Sequence, residues 1–516
     1  KNNPFTLRNI YMNGKINNGD SKNFEDTEIE ATEFNAKTGN GTIKGFFNIR
    51  NLNSYFLQTE LESIWDLAEI NYFSENSPFF NLNGKLQANT YYNGRLSFNN
   101  NFKTHFRNSK HKTKATLTNV TFMYKNSSIP FTLDNVKCEI DDNKILISES
   151  KCTIADSDLE FDGKVTDFIG YILKQDSSFE IAGNLKSVYI KFDEILTINK
   201  NDKKNSTSNI MPKSLKCNVR SQIDNFSYKG FLASNLNVEF IYDKQSLSAK
   251  DIKMETLNGS LYADAKFYEY PKNHMKLFAK INMKDINIRD AFSSFNNFGQ
   301  DFIQDKHIKG IGSAEVELQS AWKPGFILER DKLKVKSHLV IDKGELIQFE
   351  PLQNLSSYVS VDDLKDVKFS TLENTINIDN SIIQIPTMEI KSSALSVYLS
   401  GTHTFEKKIN YQIKLLLSEI LSNKFRKENT NIQKNYGDIE KNENGFSTIY
   451  LKMTGSTDKP EISFDRIKIN EKLKENIGKQ KQEIQQIIKE DILQKDSTRN
   501  IEEGEKPRLE WDDEDN

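Results

Sequence analysis

The regular alternation of apolar and polar residues along most of the chain is the feature that most limits its fold. In residues 215–223, every second side chain is apolar or small, and the side chains between them are charged or carry amides. The same alternation recurs in residues 277–283, 333–341 and 449–453. Successive side chains of a β-strand point to opposite faces, so this pattern predicts half-buried antiparallel strands. The sequence therefore predicts a mostly β protein, an elongated and curved antiparallel sheet with a few short helices and a C-terminal helix.

The composition supports a sheet with one apolar face and one wet face. Only 36% of the residues are hydrophobic, and adding the 23 glycines leaves the fraction below the ~45–50% that is usual for globular domains. Aromatic residues still make up 11% of the chain, and there are only 10 prolines, whereas disordered chains are poor in aromatics. The formal net charge of −3 gives no basic surface of the kind that binds nucleic acid. We therefore expect a folded chain with no nucleic-acid partner.

Turn-forming Asn-Gly and Asp-Gly pairs, and segments whose apolar residues have helical spacing, separate the alternating segments. Asn-Gly pairs accept the positive φ angles of tight hairpin turns, so they predict hairpin connections between consecutive strands. The predicted turns lie at Asn13-Gly14, Asn83-Gly84, Asn93-Gly94, Asn258-Gly259, Asn444-Gly445, Asp162-Gly163 and residues 342–344. The predicted helices cover residues 61–70, 290–302 (with an N-cap at Asp290), 351–358 and 470–494.

A supersecondary unit recurs four times along the chain. Each copy runs through a glycine-containing strand, a return strand and a short connection, and the copies differ in length. Such repetition indicates one unit stacked on copies of itself. The predicted β units cover residues 1–80 (with a short helix), 81–210, 211–332 and 333–468, followed by a helix at 469–496 and an acidic, disordered tail at 497–516.

Residues 333–417 resemble the C-terminal region of AsmA-like proteins in the order and spacing of their parts. The matching parts are, in order, the strand end at Gly344-Glu345, a helical connection with Leu352, Leu355 and Leu364, the segment 367–372, the strands at 376–379 and 388–390, and the strand that contains Gly401. Residues 211–267 look like the module just upstream in that family. The likeness covers most of residues 81–464 and is strongest from residue 211 onward.

The resemblance implies an envelope protein of Gram-negative bacteria. AsmA-like proteins are related to bridge-like lipid transfer proteins, with an N-terminal inner-membrane helix and a long periplasmic sheet folded into a taco-shaped groove. The implied function is to move phospholipid between the inner and outer membranes along that apolar groove, in support of outer-membrane lipid homeostasis. This sequence contains no N-terminal helix, so attachment to the inner membrane is an expectation from the resemblance alone. The alternative function is an envelope scaffold that assists outer-membrane protein assembly, which would add outer-membrane proteins as partners.

The alternating apolar rows could be an ordinary core or the lining of an open groove. Small residues such as Ala263, Ala265 and Ala279 stand between large ones, and the apolar content is too low to build a second sheet layer. Both features favour a groove over a closed sandwich, and phospholipid acyl chains are its expected ligand. The predicted lining residues are Val219, Ile223, Val238, Phe240, Leu261, Ala263, Ala265, Leu277, Ala279, Ile281, Val316, Leu318, Leu339, Ile341, Val397 and Leu399.

The sequence gives no pattern of a catalytic, cofactor or metal site. It contains no HExxH, no GxSxG and no phosphate-binding loop, and its acidic pairs lie at predicted turns. We expect no enzyme activity, no cofactor and no bound metal. The three cysteines, Cys138, Cys152 and Cys217, are expected to be small buried hydrophobic residues. The sequence leaves open whether Cys138 and Cys152 form a disulfide in an oxidising compartment. A carbohydrate-binding protein would need exposed aromatic side chains on the polar faces of its strands. The aromatic residues that this chain has on those faces are isolated from one another.

Overall fold

The computed structural model contains one long sheet. It describes residues 6–70, 79–96, 102–124, 127, 129–168, 178–197, 213–270, 274–299, 302–323, 327–349, 366–391, 395–417 and 447–465. Strands make up 77% of the described residues, and the sheet is curved and open. The predicted fold class is therefore confirmed, whereas the division into units stays a prediction.

The described strands are numbered in chain order. They are β1 (Arg8–Asn17), β2 (Glu28–Lys37), β3 (Thr42–Arg50), β4 (Phe56–Asp66), β5 (Phe79–Arg95), β6 (Lys110–Tyr124), β7 (Pro130–Asp141), β8 (Lys144–Ile154), β9 (Ser157–Thr166), β10 (Phe179–Lys191), β11 (Leu215–Tyr228) and β12 (Phe231–Asp243). The remaining strands are β13 (Ser246–Thr256), β14 (Gly259–Tyr270), β15 (His274–Asn287), β16 (Ile308–Lys323), β17 (Ile327–Ile347), β18 (Asp366–Asp379), β19 (Ile382–Lys391), β20 (Leu395–Thr404), β21 (Lys408–Leu417), β22 (Ser447–Ser456) and β23 (Lys459–Phe464).

Short helices follow some of the strands. They are α1 (Leu67–Ile70), α2 (Phe102–Arg107), α3 (Phe192–Thr197) and α4 (Ile288–Ser294), with 3₁₀ turns at Asn296–Gly299 and Asp305–His307. The predicted helices at 351–358 and 470–494 and the tail at 497–516 lie outside the described residues.

Each described strand pairs with the strands that precede and follow it in sequence, and β1 and β23 are the edges of the sheet within the described residues. The described pairings are antiparallel except for one, between β10 and β11, which run parallel. A parallel pair needs a crossover of a dozen or more residues, and the chain between Lys191 and Leu215 is long enough for it. The predicted antiparallel sheet is thus correct except at this one junction.

Two helix predictions need correction. Residues 61–66 belong to β4 and only the last four residues of the predicted 61–70 helix are helical. Pairing of β4 with β3 and β5 along its whole length outweighs the helical spacing of its apolar residues. Helix α4 begins before Asp290, because the side chain of Asn287 caps it by accepting from the Asp290 amide at 3.2 Å. It ends at Ser294, after which Asn296–Gly299 have positive φ angles.

Most predicted glycine turns also need correction. Asn258-Gly259 lies at a turn as predicted, with φ of 52° at Leu257 and 63° at Asn258. The other pairs that the structure describes fall inside strands: Asn13-Gly14 in β1, Asn83-Gly84 and Asn93-Gly94 in β5, Asp162-Gly163 in β9 and residues 342–344 in β17. Asn444-Gly445 lies outside the described residues. Within the strands, the Asn-Gly and Asp-Gly pairs occur at bulges and at close contacts between strands. These places need the same backbone freedom as a turn.

The largest buried cluster joins α4 to the C-terminal strands. Ile288 of α4 and Ile308 of β16 belong to the same cluster as Tyr411 and Leu451. Phe302, between α4 and β16, stacks on Tyr411 of β21 with ring centroids 5.6 Å apart. In the sheet, β17 to β20 lie between β16 and β21. This contact therefore requires the sheet to curl around the segment that follows α4.

Candidate functional site

One row of directly paired residues crosses the sheet from β2 to β22. Residues that are paired on neighbouring strands have side chains on the same face. We call this row the central row, and its members are Ala36, Ile43, Ser63, Ala88, Ala115, Cys138, Ile147, Gly163, Gly183, Val219, Phe240, Ala249, Ala265, Ala279, Leu318, Val335, Ile378, Ile383, His403, Ile409 and Gly455. None of them is Asp, Glu, Lys or Arg. Burial lowers the pKa of His403, which favours its neutral form.

Two further rows flank the central row on the same face. The first runs from β2 to β16 through Phe34, Gly45, Leu61, Thr90, Thr113, Ile140, Ile145, Val165, Ile181, Cys217, Tyr242, Leu247, Phe267, Leu277 and Ser320. The second runs from β13 to β18 through Ile252, Ala263, Ile281, Val316, Ser337 and Ile376. Neither row contains a fully charged side chain. The three rows together are called the apolar floor.

All of the predicted lining residues lie on this face of the sheet. Those in the apolar floor are Val219, Phe240, Ala265, Ala279, Leu318, Leu277, Ala263, Ile281 and Val316. Those beside it, toward the strand ends where α3 and α4 lie, are Ile223, Val238, Leu261, Leu339, Ile341, Val397 and Leu399. The structure thus brings the set together, and contact of these residues with lipid stays a prediction.

The apolar floor also covers the N-terminal strands, which the predicted lining left out. A cavity of about 490 Å³ lies over β3 to β7. Its lining residues are Ile43, Leu61, Ser63, Trp65, Leu86, Ala88, Thr90, Thr113, Ala115, Leu117, Cys138 and Ile140. The alternation of Leu61 and Ser63 with Glu60 and Glu62 indicates a strand here, whereas the spacing of Leu61, Ile64 and Trp65 predicts a helix. Every lining side chain is apolar or a neutral hydroxyl or thiol, so the cavity suits an apolar ligand.

The opposite face of the sheet is charged. Arg220 on β11 lies 3.6 Å from Glu239 on β12, and Lys280 on β15 lies 3.5 Å from Glu317 on β16. Lys151 on β8 makes the same kind of cross-strand pair with a glutamate of β9 at 3.1 Å. Exposed pairs of this kind contribute about 0–1 kcal/mol each. Their main consequence is that one face of the sheet is wet while the other is apolar.

Exposure of the apolar face changes along the sheet. Over β20 to β22, Tyr411, Leu415 and Leu451 are each 1% exposed, so this part is a packed core. Over β14 to β16, Ala263 and Val316 are only half-buried. The apolar face is therefore covered near the C-terminal strands and more open in the middle of the sheet.

A phenyl ring covers the central row at β9 and β10. Gly163 and Gly183 are directly paired there. A Cβ atom added to Gly163 would lie 2.3 Å from the carbonyl oxygen of Ala182 and 2.7 Å from Cζ of Phe161. The two glycines thus permit a close approach of the strands, and the Phe161 ring fills the space that side chains would occupy.

The cysteines are free thiols on the apolar face. Burial raises the pKa of Cys138 and of Cys217. Burial, and then the nearby charge of Asp134, raise the pKa of Cys152 to about 11. Cys138 pairs with Ile147, five positions from Cys152 on the same strand, which separates the two sulfurs by roughly 16 Å. A Cys138–Cys152 disulfide does not fit this register.

The chain matches no protein-family model, no curated protein and no solved structure. In the part of the chain that the structure describes, no helix has the length and apolarity needed to cross a membrane. Within the same residues, no group of three or more His, Cys, Asp or Glu side chains could hold a metal ion.

Proposed function

We propose that this protein is a lipid conduit, in which phospholipid acyl chains move across the strands along the apolar floor. The observation that carries the proposal is the central row, which crosses β2 to β22 without one fully charged side chain. A protein that needed only a folded sheet could place charged side chains where the apolar face is half-open. An uninterrupted apolar path is what a moving acyl chain requires.

The energetics of acyl-chain transfer favour a path of this kind. Each methylene that leaves water gains about 0.8 kcal/mol. A continuous apolar floor keeps this gain nearly constant from strand to strand, so movement meets no large barrier. Over the strands that precede the packed core, from β2 to β19, roughly 17 strand-to-strand steps of about 4.8 Å give a path on the order of 80 Å along the sheet. Such a length suits a bridge between two membranes better than a carrier that encloses one lipid.

The head group and the cellular location complete the proposal. A charged head group would stay in water at the open side of the floor, because burying it would cost several kcal/mol. The resemblance of residues 333–417 to AsmA-like proteins supports a place in the periplasm of Gram-negative bacteria, with attachment to the inner membrane and delivery to the outer membrane.

The direct test is whether the purified protein carries and transfers phospholipid. Lipid extraction and native mass spectrometry should detect bound phospholipid, and the protein should speed the exchange of labelled phospholipid between vesicles. A protein that carries no lipid and transfers none would refute the conduit. The envelope scaffold for outer-membrane protein assembly would then be the remaining proposal.

A further inference from the structure

The central row changes from half-buried to buried between β19 and β20. Ile378 on β18 and Ile383 on β19 are paired members of the row, and both are half-buried. The next two members are His403 on β20 and Ile409 on β21. They are only 6% and 4% exposed. The apolar path is therefore half-open up to β19 and covered at β20 and β21.

The ring of Phe302 lies at this boundary. Phe302 belongs to the connection between β15 and β16, and its ring meets the His403 ring edge-on with centroids 5.9 Å apart. It also stacks on Tyr411 of β21 at 5.6 Å and meets Phe349, just after β17, edge-on at 5.3 Å. All three distances are typical of aromatic contacts. A side chain from a connection therefore lies against the central row at β20.

Hydrogen bonds make this connection a compact element. We call residues 288–299 and 302–307 the α4 insert. Nε of Arg289 donates to the carbonyl oxygen of Asp305 at 3.1 Å. The amide of Asp305 donates to Oδ1 of Asn297 at 2.8 Å. The segment that carries Phe302 is thus tied back to α4 and to the turn that follows it.

The sheet is shaped to receive the α4 insert. Ile288 of α4 is 7% exposed and belongs to the same buried cluster as Tyr411. A Cβ atom added to Gly312 of β16 would lie 2.2 Å from Cδ1 of Ile288. The missing side chain at Gly312 therefore makes the space that Ile288 fills. This packing fixes α4 on β16 and holds Phe302 over the C-terminal strands.

We propose that the α4 insert is a plug that ends the lipid path at β19, so that phospholipid leaves the floor over the half-open strands before it. This inference rests on the proposed conduit and keeps its path from β2 to β19. Close-packed side chains leave no room for an acyl chain, and a chain that moved on to β20 would have to displace the Phe302 ring from His403 and Tyr411. Over β14 to β16, half-buried Ala263 and Val316 leave the floor accessible from its open side.

Photo-crosslinking of a phospholipid locates the end of the path. The probe is phosphatidylethanolamine with a diazirine in one acyl chain, loaded onto the full chain, and mass spectrometry identifies the labelled peptides. The wild type should be labelled on floor strands up to β19 and not on β20 to β22. Labelling of β21 and β22 at the level of β14 to β16 would overturn the plug and leave the conduit standing. Labelling of no strand would refute the conduit, and the plug with it.

Two phenylalanines of the α4 insert show whether the Phe302 ring is the barrier. Phe302→Ala should extend the labelling to β21 and β22, up to the level of β14 to β16. The matched control is Phe298→Ala, because Phe298 lies in the same insert and is 59% exposed. It should keep the wild-type pattern. Phe302→Ala with a wild-type circular dichroism spectrum and labelling that still stops at β19 would overturn the proposal. If Phe302→Ala loses that spectrum, Phe302→Leu makes the same test with a smaller cavity.

Discussion

Replacing Ala279 by glutamate would place one negative charge in the middle of the central row. Ala279 is 8% exposed and lies between Ala265 on β14 and Leu318 on β16. Its alanine neighbour is short, and Ala263 and Val316 beside it are half-buried. A longer side chain at this position would extend above the floor instead of into a second layer. We therefore expect Ala279→Glu to fold, with its carboxylate in water on the open side.

The charge would obstruct an acyl chain that passes over it. Covering a carboxylate removes its water, and the effective penalty in proteins is several kcal/mol per ion. A penalty of about 3 kcal/mol corresponds to roughly a 100-fold slower passage, since about 1.4 kcal/mol is a factor of ten in rate. Apolar surroundings also raise the pKa of a carboxyl group. Part of the lost rate should therefore return near pH 5, where more of the glutamate is neutral.

The assay is exchange of labelled phospholipid between donor and acceptor vesicles at pH 8 and pH 5. Ser248→Glu is the matched control, because Ser248 lies on the charged face opposite Ile241 and Lys266. We expect the control to transfer lipid at the wild-type rate at both pH values. Loss of the β-sheet spectrum in Ala279→Glu would show a packed core instead of a groove. Equal transfer by the wild type and both variants would refute the path along the central row.

Three further predictions concern other parts of the apolar floor. Burial lowers the pKa of His403, so the wild type should lose stability as pH falls below about 6.5, because the unfolded chain then binds more protons than the folded one. His403→Phe should remove that part of the acid sensitivity, and an unchanged pH dependence of the thermal melt would contradict it. Gly163→Val should destabilise the sheet by about 1–3 kcal/mol through overpacking, seen as a lower melting temperature, and a melt like that of the wild type would disprove the close strand approach. With Cys152 and Cys217 replaced by serine, a bulky maleimide on Cys138 should reduce co-purified phospholipid without changing the circular dichroism spectrum, and undiminished lipid would exclude the N-terminal cavity from the path.

The strand pattern and the apolar face could be predicted from the sequence because each follows from neighbouring residues. A strand such as β11 alternates within a few residues, so its two faces can be separated before its partners are known. Val219 and Ala279 were placed on one face in this way, although β12, β13 and β14 lie between their strands. The register that puts both in the central row could not be predicted, because it depends on bulges and turn lengths in every strand between them.

The incorrect predictions arose where one local signal had two structural uses. Leu61 and Trp65 fit a helical spacing as well as a strand, and only pairing with β3 and β5 selects the strand. Asn-Gly and Asp-Gly pairs serve turns, bulges and close contacts alike, so Asp162-Gly163 gave no sign that Gly163 would face Gly183. The parallel junction after β10 depends on the direction of a long connection, which no short segment encodes.

Pairing of each strand only with its neighbours in sequence makes the sheet a one-dimensional ladder. In such a ladder, stability is close to a sum of nearest-neighbour terms, and folding can begin at any hairpin and spread outward. Antiparallel pairing can spread from the turn that joins two consecutive strands. The parallel β10–β11 pair is joined by the chain between Lys191 and Leu215, so it offers no hairpin along which pairing can spread. We therefore expect pairing to spread separately within β1–β10 and within β11–β23, and the two parts of the sheet to join last at β10–β11.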